Sequence, residues 1–280
     1  MTTLVSATDA PGTAGATAVS AASRALRPTL GAELWLVASR AIKVALRNPE
    51  AVIPNLFIGL FFFAVNVGSM QHTIAKTAHI DAKAFELPVA IMFAVTGTSR
   101  ATQAVVDIAG GYFDRLLMTP IRRTSLLFGM LLADFLIALG LAVCVSGLAV
   151  ALGVRFASGI GGFLLFLVLA SAWSTAYSGF VYALAFASGS PETVNSAGFM
   201  IFFPFAFLTT AFLPRNLLAG WMSAIAEYNP VTYFLSALRS LIVEGWHTST
   251  LLGGLASIAG VGVVGFLLAL KTLAGRINKG

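Results

Sequence analysis

The chain has 280 residues, of which 58% are hydrophobic and only 10% charged, and its formal net charge is +6. A soluble domain carries about 25% charged residues, so the composition excludes an ordinary soluble fold and indicates an integral membrane protein. At about 20 apolar residues per transmembrane helix, the length allows about six spans. The single cysteine, Cys144, cannot form a disulfide within the chain, and we expect it to be a buried small hydrophobic residue.

The N-terminal part of the chain contains no predicted span. Residues 1–28 are dominated by small and polar residues, with no basic residue before Arg24, and we expect a disordered cytoplasmic tail. Residues 29–48 place apolar side chains on one helical face and basic ones on the other, which predicts an amphipathic helix in the membrane interface. A soluble amphipathic helix that packs on another surface is the alternative.

Long apolar runs within residues 49–275 predict an all-α, polytopic membrane protein, because they are continuous rather than alternating as in a β-barrel. The six predicted transmembrane helices occupy about 51–70, 87–107, 126–152, 160–187, 194–213 and 251–270. Before the last span, charged residues interrupt an apolar helical face that begins after Asn229-Pro230. We expect a re-entrant pair of helices here, about 216–226 and 231–243. A crossing instead would give seven spans and place the termini on opposite sides.

The distribution of Lys and Arg predicts the orientation in the membrane. With a cytoplasmic N-terminus, eleven basic residues lie on the inner side and five on the outer side, while Arg100 lies within a span. This excess follows the positive-inside rule, so both termini, including the tail at 276–280, are expected in the cytoplasm. The net positive charge then serves orientation and contact with anionic lipids, and it implies no nucleic-acid partner.

A short basic segment, residues 110–129, separates the second and third predicted spans. Its sequence, GGYFDRLLMTPIRRTSLLFG, combines apolar anchors with charged groups. The predicted orientation places this segment on the cytoplasmic side, where a cytoplasmic partner could bind it. The alternative is an interfacial loop whose arginines only follow the positive-inside rule.

Three features occur together in the chain. They are GYFDRLLMTPIRRTSLLFGMLLAD after the second span, NPVTYFLSALRSLIVEG before the last span, and six spans behind an interfacial helix. In these features, over about residues 28–275, the chain resembles the permease subunits of type-2 ATP-binding-cassette (ABC) exporters, in particular actinobacterial daunorubicin- and drug-resistance permeases. The resemblance implies a bacterial plasma-membrane permease that moves a lipophilic drug-like or lipid substrate out of the cytoplasm or inner leaflet.

The resemblance also implies partners: a second permease copy or a paralogue, two copies of a cytoplasmic ABC ATPase subunit, and membrane lipids. The chain has no GxxxxGK[ST] phosphate loop, so ATP and Mg are expected on the partner ATPase. This chain would hold no cofactor, no metal and no catalytic residue, and would be a transporter subunit rather than an enzyme. The segment at 111–119 would be the coupling helix. The residues expected to contact the ATPase are Tyr112, Phe113, Asp114, Arg115, Leu116, Leu117, Thr119 and Pro120.

Four residues within the predicted spans are candidates for a gate or for the transport path. A charge inside a span costs about 2.5–3.5 kcal/mol or more and usually has a partner. Arg100 is therefore expected either to pair with Asp107 or Asp134 or to line the path, and Asp134 has the same two interpretations. Phe203 and Phe207 would line a lipophilic path.

The sequence Ser190-Pro191-Glu192 has the composition of a helix start: a capping hydroxyl, a first-turn proline and an acid that matches the helix dipole. Alternatively, Pro191 and Glu192 form a second, smaller contact with the ATPase.

Two rival functions stay open at this point. A lipid or polysaccharide exporter of the same fold would differ only in its substrate. A passive channel or membrane scaffold fits the composition, but it would not require a cytoplasmic segment that binds an ATPase. An intramembrane enzyme is disfavoured, because neither HExxH nor GxSxG occurs in the chain.

Overall fold

The computed structural model describes residues 39, 43, 52–77, 81–110, 123–213 and 215–277. Within this part every regular element is helical, which confirms the predicted all-α fold. The predicted disordered tail, interfacial helix and C-terminal tail lie largely outside it. The α-helices, in chain order, are α1 (Ile53–Thr77), α2 (Ala82–Thr96), α3 (Ala101–Ala109), α4 (Arg123–Ala151), α5 (Gly159–Ser188), α6 (Pro191–Phe207), α7 (Gly220–Tyr228), α8 (Pro230–Val243) and α9 (Thr248–Ile277).

The chain is a multi-pass membrane protein. In its described part, four stretches are long and apolar enough to cross a membrane: Ala82–Asp107, Leu127–Ala151, Gly159–Ser188 and Thr248–Gly275. Shorter apolar helices cover Ile53–Ser69 and Pro230–Val243. The 17 residues of α6 extend over about 25 Å, close to the thickness of the hydrocarbon core. Six crossings with both termini in the cytoplasm stay a prediction.

The helix α5 lies at the centre of the bundle, packed against α9, α4, α6 and α2. Its closest neighbour is α9, and small residues permit the approach. A Cβ at Gly179 would lie only 2.7 Å from the backbone carbon of Gly265. Within lipid, helices associate through such close backbone contact rather than by burying apolar side chains from water.

Two details differ from the expectations. The second predicted span consists of two helices, α2 and α3, separated by residues 97–100. Cys144 is exposed on the surface of the chain, so the expectation of a buried cysteine is wrong. Its helix, α4, faces α5 and α2 with its other side, which leaves Cys144 on a face that lipid can cover.

Candidate functional site

The predicted coupling segment, residues 111–119, lies outside the described residues. The same holds for every residue expected to contact the ATPase there, from Tyr112 to Pro120. Its two flanks are described. The helix α3 leads into it and ends at Ala109, and α4 begins after it at Arg123. The geometry of α3 therefore shows to which parts of the bundle the predicted segment is connected.

The break between α2 and α3 lies within an apolar stretch and is held by side chains from other helices. The carbonyl of Val95 accepts hydrogen bonds from the hydroxyls of Thr98 and Ser174, both at 2.6 Å. The amide of Asn55 donates to the carbonyl of Gly97 at 3.1 Å. Inside a membrane, backbone groups released from a helix must find partners within the protein. Polar groups of α1 and α5 supply them here.

Asp134 of α4 holds the start of α3. It has no exposed surface, and its Oδ1 accepts a hydrogen bond from the backbone N–H of Arg100 at 3.3 Å. A carboxylate at a helix N-terminus is stabilised by unpaired N–H groups and by the helix dipole. Ser178 and Tyr182 of α5 lie beside the carboxylate. Their hydroxyls and Asp134 Oδ2, however, complete no hydrogen bond among the described residues.

The structure thus brings Arg100 and Asp134 together, but through the backbone of Arg100. Among the described residues their side chains form no direct ion pair. Asp107, the other predicted partner of Arg100, accepts a hydrogen bond from Gln103 at 3.1 Å instead. The pair therefore serves to anchor a helix end.

The predicted cap at the start of α6 is present. The Ser190 hydroxyl accepts from the backbone N–H of Thr193 at 3.3 Å and donates to Oε2 of Glu192 at 2.8 Å. That hydrogen bond from Ser190 holds the pKa of Glu192 below its usual value. Glu192 is exposed and Pro191 occupies the first turn. The contact of Pro191 and Glu192 with an ATPase stays a prediction.

Phe203 and Phe207 lie together on an outward-facing, apolar surface of α6. Their rings stack with centroids 4.4 Å apart, and Phe199 continues the row at 4.9 Å from Phe203. Phe199 is 61% and Met200 72% exposed, so no described residue covers this surface. It forms an open groove, which we call the α6 groove, lined by Ser196, Phe199, Met200, Phe203, Pro204 and Phe207. Arg100 and Asp134 do not line it.

Contacts that the sequence did not predict fix the N-terminal half of α6. The hydroxyl of Thr102 in α3 donates to Oδ1 of Asn195 in α6 at 2.8 Å. The hydroxyl of Tyr177 in α5 donates to the carbonyl of Gly198 at 2.7 Å. Isolated polar residues of this kind carry no motif. Their only signal in the sequence is polarity within an apolar helix.

Asn229 fixes the other end of α6. Its side-chain oxygen accepts from the backbone N–H of Val231 at 3.0 Å, which caps α8 as the Asn-Pro pair predicts. Its amide nitrogen donates to the carbonyls of Phe205 and Leu208, each at 2.9 Å. One side chain therefore begins α8 and completes the end of α6.

Arg239 of α8 is a further functional candidate that sequence analysis did not single out. Its guanidinium donates to three backbone carbonyls and lies 3.6 Å above the ring of Phe85. Glu86, fully buried in α2, attracts it electrostatically. The available signal was an arginine on an otherwise apolar helix.

Comparison with known proteins identifies the family of the chain. A family model described as "ABC-2 type transporter" matches residues 32–243. The daunorubicin resistance ABC transporter permease protein DrrB1 of Streptomyces coeruleorubidus is 30% identical over 157 residues, which are 55% of this chain and 53% of that protein. The probable doxorubicin resistance ABC transporter permease protein DrrC of Mycobacterium tuberculosis is 28% identical over 215 residues, 76% of this chain and 73% of that protein. The chain thus spans about half the length of the first relative.

Proposed function

Because the chain belongs to the ABC-2 type transporter family, we propose that it is the permease subunit of an exporter driven by a separate ATPase. The match confirms the family resemblance inferred from the motifs around residues 110–129 and 229–245. The proposed cargo is a lipophilic, drug-like molecule, in line with the names of the two relatives. We place the permease in a bacterial plasma membrane with both termini in the cytoplasm, and it would move its cargo out of the cytoplasm or inner leaflet.

The observation that carries the proposal is the α6 groove. The stacked rings of Phe203 and Phe207, with the tilted ring of Phe199 beside them, form an aromatic surface, and no charged residue lines the groove. Aromatic faces bind other flat apolar groups by offset stacking. Such a surface fits a lipophilic cargo, and we propose that Phe203 and Phe207 line its path. A second permease copy or a paralogue would close the open side of the groove.

The contacts of α3 support a mechanical connection between the partner ATPase and the α6 groove. The nine residues of α3 extend over about 13 Å between the break at 97–100 and the predicted coupling segment. The hydrogen bond from Thr102 to Asn195 joins α3 to α6. We propose that the ATPase moves the segment at 111–119, that α3 follows as a rigid helix, and that α6 moves with it. Pro191 and Glu192, at the same end of α6, would form the second contact.

In this proposal the chain itself hydrolyses no ATP. It has no phosphate loop, so two copies of the partner ATPase would hold ATP and Mg. Export of a lipid or polysaccharide is the second candidate. It shares the structural arguments above but not the support from the names of the relatives. The α6 groove, in which Ser196 is the one polar lining residue, favours a lipid over a polysaccharide.

The test is export of doxorubicin from cells that express the permease with its ATPase. The double variant Phe203→Ala/Phe207→Ala is expected to lower the export rate at least about tenfold, because it removes the stacked surface. The control is Phe128→Ala on α4, an exposed phenylalanine outside the groove, which is expected to keep the wild-type rate. Unchanged export by the double variant would remove Phe203 and Phe207 from the path. Doxorubicin equilibrating without the ATPase would indicate a passive channel.

A further inference from the structure

Arg239 is bonded to backbone oxygens from two distant parts of the chain. Its Nε donates to the carbonyl of Phe85 in α2 at 3.2 Å. Its Nη1 and Nη2 donate to the carbonyls of Thr210 and Ala211 at 2.7 and 2.8 Å. Because Arg239 itself belongs to α8, a single guanidinium joins α2, α8 and the segment that follows α6.

In that segment, residues 208–213, Leu208 still donates a helical hydrogen bond to the carbonyl of Pro204 at 2.9 Å, but the residues after it are not helical. The helix α6 ends at Phe207, residues 208–213 have no regular structure, and a short 3₁₀ helix occupies Arg215–Leu217. Thr209 and Ala211 are nevertheless almost fully buried, at 1% and 0% exposure. Carbonyls that are buried in an apolar region without partners are costly. Arg239 therefore replaces the helical hydrogen bonds that the segment lacks.

A buried acidic side chain, Glu86, lies near the same contact. Glu86 follows Phe85 in the chain, has no exposed surface and attracts the guanidinium. The Phe85 ring under the guanidinium adds a cation–π contact. Three donors in a planar fork are specific to arginine, since a lysine ammonium is a compact point charge that cannot span separated carbonyls in this way.

We propose that Arg239 is the positioning residue of an outer latch, in which it holds residues 208–213 against α2 and keeps the outer end of the transport path closed. The segment continues α6, so this inference rests on the proposed function of the α6 groove. When α6 separates from α2 during export, the hydrogen bonds to Thr210 and Ala211 must break. When the permease returns to rest, they must form again.

The test measures how well the segment is protected. A Cys144→Ser background carries Ala211→Cys, and intact cells are treated with a membrane-impermeant maleimide. Arg239→Lys keeps the positive charge opposite Glu86, so the protein is expected to insert and fold. The control is Arg215→Lys, which changes an arginine of the same outer region whose ion pair with Glu227 is half exposed. A second reporter, Ala226→Cys, probes another buried alanine, in α7.

Arg239→Lys is expected to increase the labelling rate of Ala211→Cys at least about tenfold, which corresponds to about 1.4 kcal/mol. Ala226→Cys should stay protected, and Arg215→Lys should leave both rates unchanged. Persistent protection of Ala211→Cys overturns the latch. Simultaneous labelling of Ala226→Cys overturns it as well, because Arg239 would then stabilise the whole outer region.

A last experiment distinguishes a failure of the latch proposal from a failure of the proposed function. With Arg239 intact, the co-expressed ATPase and doxorubicin are expected to raise labelling of Ala211→Cys, whereas an ATPase variant that cannot hydrolyse ATP should not. If the Arg239→Lys difference is present but doxorubicin export is absent, the latch stands and the proposed cargo is wrong. If export occurs while Ala211→Cys stays protected throughout, the latch is wrong and the permease function stands.

Discussion

Replacing Asp134 tests whether the break between α2 and α3 is held by a cap from another helix. Asp134→Ala removes the acceptor of the Arg100 N–H. Losing a helix cap costs about 0.5–2 kcal/mol, and leaving a buried donor unsatisfied costs about 1–3 kcal/mol. We therefore expect Asp134→Ala to destabilise the permease by about 2–4 kcal/mol, the two effects being partly the same hydrogen bond.

Asp134→Asn separates the acceptor from the charge. It keeps the size of the side chain and the oxygen that receives the Arg100 N–H, so it should cost less than about half of the loss in Asp134→Ala. The control is Asp107→Ala, which removes a carboxylate from the same helical stretch. Among the described residues that carboxylate is bonded within α3, to Gln103, and such a pair contributes about 0.2–0.5 kcal/mol.

Thermal unfolding in detergent, followed by loss of the monodisperse peak in size-exclusion chromatography, measures the difference. For a chain of this size 1 kcal/mol shifts Tm by about 2–4 °C, so Asp134→Ala should lower Tm by roughly 5–15 °C. Wild-type stability of Asp134→Ala would refute the cap. Equal losses in Asp134→Ala and Asp134→Asn would show that the charge, rather than the acceptor, holds the break.

Two further changes probe the bundle and its coupling. Gly265→Val should destabilise the contact of α9 with α5 by about 1–3 kcal/mol, as overpacking does, since its Cβ would meet the α5 backbone at 3.0 Å. Gly260→Val, where a Cβ meets nothing within 4 Å, is the matched control, and the same melting assay would contradict the packing argument if both variants behaved alike. Thr102→Val should leave Tm nearly unchanged but lower doxorubicin export per ATP hydrolysed, because it breaks the bond to Asn195. Thr272→Val, whose hydroxyl donates within α9 in the described part of the chain, should export normally, and equal export by both variants would remove Thr102 from the coupling route.

The elements that could be predicted depend on neighbours in sequence. The start of α6 is one example, because Ser190, Pro191 and Glu192 act within a single turn. The start of α8 is another, since the Asn229 cap reaches a residue two positions away. The apolar face of α8 could likewise be recognised from its helical spacing, and it is buried in the structure. Local signals of this kind need no knowledge of the tertiary fold.

The break at residues 97–100 and the latch at Arg239 could not be predicted, because the groups that hold them are far apart in the sequence. Gly97 and Thr98 interrupt the helix, but apolar residues on both sides continue the span. What makes the break stable are Asn55 and Asp134, which lie 42 and 34 residues from their partners. The carbonyl partner of Arg239 in α2 is 154 residues away. The charge count includes Arg239 among the five basic residues of the outer side, whereas in the structure its position is determined by the carbonyls of Phe85, Thr210 and Ala211.

These two sites share one physical explanation. Charged side chains are costly inside a membrane, and so are backbone groups released from helices. At the break, the buried Asp134 bonds a free N–H group, and after α6 the guanidinium of Arg239 bonds free carbonyls. Each charge compensates for an interrupted helix, and each interruption supplies the charge with partners. The pairing leaves the second span and the C-terminal end of α6 held to neighbouring elements by a few defined hydrogen bonds. In the proposed exporter we expect movement at these hydrogen bonds, because a continuous, purely apolar helix has no comparable place to separate.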